Sequence, residues 1–258
     1  MTKHEFPGQF PRILFLHQPK TGGISLRTTI AAQYPKENVL ELRPNPRIRT
    51  PEDLKHELPD DLSEIHFIHG HTIWGIHNFV PSPFIYITML RDPIERIISL
   101  YYYVRSTPSH RLFSQVKAES ISLEDFLALQ GALGEIDNQQ TKLLAGKFAP
   151  DDRCTADVLE QAKYNLDRFF IVGITEQYDK SLHVFSNLFG WQNADVIYAN
   201  VTSVRPRRQE VPQSILNKIY EHNAYDIDLF SFAQKMLEEE VVHPKRVLSK
   251  KCMQADCP

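Results

Sequence analysis

The chain has few cysteines, no long apolar run and no large excess of charge of either sign. Its 258 residues include 3 cysteines, an odd number that supports no disulfide framework and favours a reducing compartment. No segment approaches the ~20 consecutive apolar residues of a membrane-spanning helix. The formal net charge of −3 differs from that of a non-specific nucleic-acid binder, which is normally basic. We therefore expect no membrane association and no nucleic-acid partner.

The remaining composition is an ordinary globular balance, 42% hydrophobic and 24% charged, in a chain long enough for one large core. Apolar runs alternate with segments of helical spacing, which predicts a single α/β domain with a central parallel β-sheet flanked by helices. We assign the domain to residues 1–242 and a polar, loosely ordered tail to residues 243–258. Strands are predicted at 12–17, 38–41, 65–69, 84–90 and 168–173, and helices at 23–34, 51–57, 93–104, 122–131, 137–145, 155–167, 178–188, 212–223 and 225–237.

No Walker-type phosphate loop is present, because that motif places glycines before its lysine. In residues 13 to 26, ILFLHQPKTGGISL, an apolar strand pattern is followed by Lys20, then by Gly22 and Gly23, and a helical pattern begins at Ser25. Unpaired backbone N–H groups and the helix dipole attract an anion to such a helix start. Lys20 adds a full positive charge, and the glycines allow the backbone to approach closely. An ordinary strand-to-helix turn with a solvent-facing lysine is the alternative.

A second strand-to-helix turn lies at residues 84 to 103, FIYITMLRDPIERIISLYYY. The apolar run ends at Arg91, Asp92 is suited to an N-cap, and the proline that follows is suited to the first helical turn. Arg91 at the strand end and Ser99 in the helix are placed to reach a second anion. Arg96 either joins them or is solvated, and a local ion pair between Arg91 and Asp92 is the alternative.

The pairing of PKTGGISL with RDPIERIISLY resembles the two signature motifs of sulfotransferases that use 3′-phosphoadenosine-5′-phosphosulfate (PAPS). The resemblance implies a P-loop-like fold, PAPS as the sulfuryl donor and no requirement for a metal. It implies that the first motif wraps the 5′-phosphosulfate and that the second holds the 3′-phosphate. Ile24 departs from the pattern, since many members carry a threonine there. By position, the donor contacts are Lys20, Thr21, Gly22, Gly23, Ile24, Ser25 and Leu26 in the first motif and Arg91 and Ser99 in the second.

Three further segments, IHGHTIWG, LRDPIERIISLYYYVR and AKYNLDRFFIVGITEQYDKSL, are similar to the glycan 2-O-sulfotransferase branch, which includes heparan sulfate and chondroitin/dermatan uronyl enzymes. The resemblance implies an acceptor hydroxyl on a glycan or on a small molecule. Animal members are membrane-anchored Golgi proteins, whereas the start of this chain, MTKHEFPGQFPR, lacks an apolar signal region. Either the chain is a cytosolic, bacterial-type member or it has been trimmed. Its Met1 start favours the former, so we expect a cytoplasmic protein.

Four histidines, His66, His69, His71 and His77, crowd around one predicted strand end. Their spacing fits no zinc pattern and no cysteine lies near, so a metal site is not favoured. We interpret His66 and His77 as ordinary polar residues. A sharp exit at Gly70 would place His71 over the site, where a histidine can act as a general base. The resemblance implies this role for His71, with assistance from His69, and leaving-group stabilisation by Lys20. Which of the two histidines is the base stays open.

Three later segments are further candidates. Thr175 follows a predicted strand and either approaches the adenine or belongs to a plain strand exit. Arg205 lies in TSVRPRR, which resembles the basic loop that closes over the 3′-phosphate in this family. The stretch DNQQT at residues 137–141 either faces the acceptor or only caps a helix.

Two other functions are alternatives for the same chain. One is a nucleotide or small-molecule kinase of P-loop-like fold, which the lack of a Walker loop disfavours. The other is a non-catalytic nucleotide-binding module, which the presence of Lys20 together with His69 and His71 disfavours.

Overall fold

The computed structural model describes residues 11–42, 50–81, 83–147, 153–191 and 205–242. Within these ranges, five strands form one sheet in the order β2-β3-β1-β4-β5, and every neighbouring pair is parallel. The prediction of a single α/β unit with a central parallel sheet is confirmed. The strands are β1 (Ile13–Leu16), β2 (Val39–Leu42), β3 (Phe67–Gly70), β4 (Ile85–Leu90) and β5 (Phe170–Ile174).

The strands are apolar because helices cover both faces of the sheet. Every residue of β1, β3, β4 and β5 is buried, whereas the edge strand β2 is mostly half-exposed. Parallel sheets of this kind require near-continuous apolar runs. Leu16, at the end of β1, pairs with Gly70 on one side and Thr88 on the other. The carboxyl ends of the three central strands therefore meet at one edge, which is where open α/β sheets bind ligands.

Helices connect the strands and pack on the sheet. The third helix begins where the sequence predicts, because the Asp92 carboxylate accepts hydrogen bonds from the N–H groups of Ile94 and Glu95 at 2.9 and 3.1 Å. This is an N-cap, and it satisfies two backbone donors that the helix leaves unpaired. The helices are α1 (Gly23–Ala31), α2 (Pro51–Leu54), α3 (Pro93–Ser106), α4 (Phe113–Ala118), α5 (Leu123–Leu127), α6 (Leu133–Ile136), α7 (Gln139–Ala145), α8 (Ala156–Phe169), α9 (Tyr178–Phe189), α10 (Gln213–His222) and α11 (Ala224–Val242).

The helical region after α3 differs most from the prediction. Helix α4 was not predicted, and the helix predicted at 122–131 is divided into α5 and a short 3-10 turn at Gln130–Ala132. The helix predicted at 137–145 begins only at Gln139, because Asn138 has a left-handed backbone with a φ of 44°. The side chain of Asn138 accepts hydrogen bonds from the N–H groups of Tyr225 and Asp226 at 2.9 and 3.0 Å. It therefore caps α11, a helix distant in sequence.

Arg96 is fully buried on α3. Its guanidinium donates to the side-chain oxygen of Gln139 and to the backbone oxygen of Glu135, both at 2.9 Å. Arg96 is therefore neither solvated nor free to reach an anion. It ties α3 to the helical layer, because a buried guanidinium is tolerated only where its donors find acceptors.

Some predictions fall outside the described residues. Residues 202–204 of the basic loop, the tail at 243–258 and the last two cysteines, Cys252 and Cys257, are among them. Among the helices that the structure describes, none combines the length and the apolar character needed to cross a membrane.

Candidate active site

The turn between β1 and α1 is built around left-handed backbone positions. Lys20 and Gly22 have φ values of 68° and 73°. Gly22 is the N-cap residue of α1, and among the described residues no side chain caps this helix start. Thr21 is fully buried and donates its hydroxyl proton to the backbone oxygen of Gln18 at 2.9 Å. This buried hydrogen bond thus holds the conformation of the turn. The first backbone N–H groups of α1 remain suited to binding an anion.

Arg91 joins this turn to the second one. Its Nη1 donates to the backbone oxygen of Lys20 at 3.0 Å. The Arg91 backbone is itself clamped by the Gln140 side chain, which accepts from the Arg91 N–H at 3.0 Å and donates to the Arg91 carbonyl at 3.1 Å. The two predicted anion-binding turns are therefore neighbours in space, as the parallel pairing of β1 and β4 requires.

Arginines gather beside the start of α3. Arg205 Nη1 lies 2.8 Å from Glu95 Oε2, and Arg91 Nη2 lies 3.7 Å from the same oxygen. Arg208 Nη1 lies 3.3 Å from Asp92 Oδ2. A cleft of about 530 Å³ opens here and is lined by Glu95 and residues 205–209. Guanidinium groups present planar, bidentate donors that match phosphate, so this cleft suits a phosphate group.

The charge of Lys20 is shaped by its surroundings. Burial, and then the positive charges of Arg91 and Arg205, lower the pKa of Lys20 to about 8. Its Nζ lies 4.0 Å from the centroid of the Tyr103 ring. Ser99 lies between Glu95 and Tyr103 on α3, and because these residues are four apart they share one face of the helix. Lys20, Ser99 and the arginines therefore border the same region.

Thr175 follows β5 and joins the end of β4 to the turn between β1 and α1. Its hydroxyl oxygen lies 2.6 Å from the backbone oxygen of Thr21 and 3.0 Å from that of Leu90. A Cβ on Gly22 would lie 3.4 Å from the Thr175 methyl group. The residue after it, Glu176, places a carboxylate oxygen 3.7 Å from Arg91 Nε. Thr175 thus closes one side of the lysine turn, while its contact with adenine stays a prediction.

His71 follows β3 and stands at the surface of the site. Its Nδ1 lies 3.0 Å from the backbone oxygen of His17. A carbonyl oxygen can only accept, so Nδ1 carries the proton and Nε2 keeps a lone pair when the ring is neutral. Burial lowers the pKa of His71 below 6.5, while the hydrogen bond to His17 opposes the change. The neutral form, with a basic Nε2, is therefore the main form at neutral pH.

The rings of His17 and His69 lie deeper than that of His71. The His17 ring stacks on Phe15 at 5.3 Å and on His71 at 4.4 Å, and burial holds its pKa well below 6.5. His69 is only 6% exposed, burial lowers its pKa to about 4, and its Nδ1 has no hydrogen-bond partner among the described atoms. His71 is thus the more accessible of the two candidate bases.

The sequence interpretation missed two residues that organise the site. His17 supports His71, and the signal for it was a polar residue directly after the apolar run of β1. Gln140 holds Arg91 and lies in the DNQQT stretch, in which every residue is buried. The Asp226 carboxylate accepts from the N–H and the hydroxyl of Thr141 at 2.8 and 2.7 Å. This stretch therefore has a structural role and does not form an acceptor surface.

The remaining predicted residues of the first motif take different positions on α1. Ile24 is 39% exposed on the first turn, Ser25 is buried, and Leu26 packs in the core of the domain. A Cβ on Gly23 would fall 2.2 Å from a ring carbon of His17, so this position accepts only glycine without a shift. Across the described ranges, no three His, Cys, Asp or Glu side chains come together as a metal-binding group.

The arrangement as a whole fits a ligand that carries two separate anionic groups. An uncapped helix start with Lys20 forms one anion site, and a cleft beside Arg91 and Arg205 forms the other. A histidine with an accessible lone pair stands at the next strand end. Such an arrangement is chemically suited to holding a doubly anionic ligand beside a group that can accept a proton.

Known proteins match this chain over most of its length. Residues 66–254 match the family model described as galactose-3-O-sulfotransferase. Human heparan-sulfate 6-O-sulfotransferase 1 is 24% identical over 65% of this chain and 46% of its own. Bovine galactose-3-O-sulfotransferase 3 is 24% identical over 84% of this chain and 55% of its own. Chicken heparan sulfate 2-O-sulfotransferase 1 is 32% identical over 43% of this chain and 33% of its own.

A solved structure is also similar. Mouse sulfotransferase SULT7A1, crystallised in complex with PAP, superposes with a TM-score of 0.40 and 16% identity, over 84% of this chain and 64% of that chain. The chain spans about half the length of the first curated relatives it matches. The sulfotransferase resemblance carried by the two motifs is confirmed. Since the matched model covers well over half of its residues, the chain belongs to the galactose-3-O-sulfotransferase family.

Proposed function

We propose that the protein transfers the sulfuryl group of PAPS to a hydroxyl group of a carbohydrate acceptor. The observation that carries the proposal is the Arg91–Lys20 hydrogen bond of 3.0 Å, which joins two anion-binding turns into one site. Relatives named for heparan sulfate and for galactose support a sugar hydroxyl as the acceptor. A small-molecule alcohol is the alternative within the same chemistry.

The donor would lie along the edge formed by β1 and β4. The first turn of α1 and Lys20 would hold the 5′-phosphosulfate, and Arg91, Arg205 and Ser99 would hold the 3′-phosphate. Bound PAPS supplies an activated sulfuryl group on a phosphate leaving group. Lys20 and the helix N–H groups would stabilise the charge that grows on the bridging oxygen. A preorganised donor of this kind contributes about 3–4 kcal/mol to the transition state in comparable sites.

His71 would act as the general base. Its Nε2 takes the proton of the acceptor hydroxyl while the oxygen forms its bond to sulfur and the bond from sulfur to the bridging oxygen breaks in line. The His17 carbonyl accepts the hydrogen bond from Nδ1, so it orients the ring and stabilises the imidazolium that forms. A base so placed contributes roughly 10²- to 10⁴-fold to the rate. His69 would assist His71 from its deeper position.

A ligand screen tests donor binding first. We expect adenosine 3′,5′-bisphosphate (PAP) to raise the melting temperature strongly, and ATP with Mg²⁺ and GTP to have little effect. Stabilisation by ATP with Mg²⁺ alone would contradict the donor assignment and favour a kinase.

Radiolabelled PAPS then tests transfer. The acceptor panel contains heparan sulfate, chondroitin sulfate and galactose-terminated glycans, with phenols and lipids as controls. We expect label on at least one glycan class. Label found only on phenols would keep the sulfotransferase chemistry and remove the carbohydrate acceptor. PAP stabilisation without transfer to any class would favour a binding module.

A further inference from the structure

Tyr103 lies on the third turn of α3 and presents its ring to Lys20. The Lys20 ammonium lies 4.0 Å from the ring centroid, and the ring is 39% exposed. His110 packs edge-on against the same ring at a centroid distance of 5.8 Å, which helps to fix its orientation. A cation over the face of an aromatic ring is attracted by the negative charge of that face.

We propose that Tyr103 is a positioning residue for Lys20. The Tyr103 ring holds the Lys20 ammonium in the charged form, beside the face of α3 that carries Glu95 and Ser99. The inference rests on the proposed function, since it concerns the residue assigned to the leaving group. Tyr103 acts through Lys20 and does not itself touch the reacting atoms.

Lys20 needs such support because its neighbourhood is positive. Burial, and then the positive charges of Arg91 and Arg205, lower the pKa of Lys20. After burial, the charge of Lys20 contributes in turn to the lowered pKa of His17 and of His71. The nearby carboxylates of Glu95 and Glu176 form ion pairs with arginines. In the part of the chain that the structure describes, no carboxylate forms an ion pair with Lys20. Among the described residues, the Tyr103 ring makes a contact whose geometry favours the Lys20 ammonium, because a cation is attracted to an aromatic face.

The protonation state matters because only the ammonium can stabilise a leaving oxygen. With the pKa of Lys20 at about 8, a modest further fall would leave a substantial fraction of the lysine neutral near physiological pH. The ring therefore widens the pH range in which Lys20 is active. A shift of about one pH unit corresponds to the strength of a partly buried cation–π contact.

Three variants separate the ring from the rest of the side chain. Tyr103→Leu removes the aromatic face, Tyr103→Phe keeps it without the hydroxyl, and Tyr102→Leu is a matched control on another face of α3. The first measurement is the pH dependence of Lys20 labelling by an amine-reactive reagent, mapped by peptide mass spectrometry. We expect the midpoint in Tyr103→Leu to fall by about one pH unit. Tyr103→Phe and Tyr102→Leu should titrate as the wild type does.

The second measurement is the pH profile of kcat/KM for PAPS. Its alkaline limb should move to lower pH in Tyr103→Leu and return to the wild-type position in Tyr103→Phe. Circular dichroism and a cooperative thermal transition without ligand report whether each variant is folded. An unchanged Lys20 midpoint in Tyr103→Leu would overturn the proposal, as would a Phe variant that behaves like Leu. If the wild type transfers no sulfate, the proposed function fails, yet labelling still decides the role of Tyr103.

Discussion

The lysine turn and the histidine cluster lie at adjacent strand ends. Burial lowers the pKa of groups in both regions, but it leaves them in opposite charge states at neutral pH. Burial lowers the pKa of Lys20 to about 8 and that of His69 to about 4. Because an ordinary lysine begins near 10.5 and a histidine near 6.5, the same penalty leaves the lysine largely charged and the histidines neutral at pH 7. One physical cause thus prepares an electrostatic group and a base side by side.

The largest expected effect is on the base. His71→Ala should lower turnover roughly 10²- to 10⁴-fold, because the acceptor hydroxyl loses its proton acceptor. Stabilisation by PAP should stay close to that of the wild type, since His71 is not assigned to the donor. His66→Ala, which alters a neighbouring histidine outside the site, serves as the control. Equal loss of turnover and PAP binding would mean that His71 is structural.

Lys20→Ala should act on both binding and chemistry. We expect turnover to fall about 10²- to 10³-fold, the range measured for loss of one oxyanion donor, together with weaker stabilisation by PAP. Single-turnover assays and thermal shifts with PAP measure the two effects separately. A Lys20→Ala protein with full activity would remove the leaving-group assignment and reduce the lysine to a surface charge.

Gly23→Ala tests whether packing at the start of α1, in the lysine turn, positions the rings of the histidine cluster. The added methyl would fall 2.2 Å from the His17 ring, which is stacked against His71, so the ring must move. We expect kcat to fall about tenfold, a part of the roughly 10²- to 10⁴-fold that a well-placed general base contributes. Gly131→Ala is the matched control, because its added methyl meets Leu112 at an ordinary 3.4 Å. If kcat in Gly23→Ala is that of the control, the stack does not position the base.

The smallest effect concerns the pH profile of kcat/KM for PAPS. A lowered pKa for His71 means that the base is lost only as pH falls below 6.5. A lysine with a pKa of about 8 means that activity falls as pH rises through that value. The profile should therefore be a bell with its plateau near neutral pH. PAP affinity across the same range corrects for titration of the 3′-phosphate, and an alkaline limb near pH 10 would contradict the account of Lys20.

Much of the fold could be predicted because its signals are local. Apolar runs identify the five strands, and Asp92 before a proline identifies the start of α3. The segment after α3 was harder, because long-range contacts decide it. Asn138 caps α11 and so interrupts the predicted helix, and no local pattern shows that its partner lies almost ninety residues away.

The site residues that belong to motifs could be predicted, whereas those whose role depends on packing were missed. The lysine turn, Arg91 and the two histidines follow from their positions at strand ends. His17 acts on His71 through a backbone oxygen and a ring stack, and the only local signal for these long-range contacts was a polar residue directly after the apolar run of β1. Arg96 has the sequence position of a ligand contact but lies fully buried, and only the partners offered by α6 and α7 explain that placement.

The Gln140 side chain has a consequence for the whole site. Its carboxamide has the chemical form of a peptide group, and it binds both the N–H and the carbonyl of Arg91. Gln140 therefore continues the hydrogen-bonding pattern of the sheet past the end of β4, as one residue of a neighbouring strand would. The strand end from which Arg91 reaches Lys20 is therefore held in place by a side chain of α7.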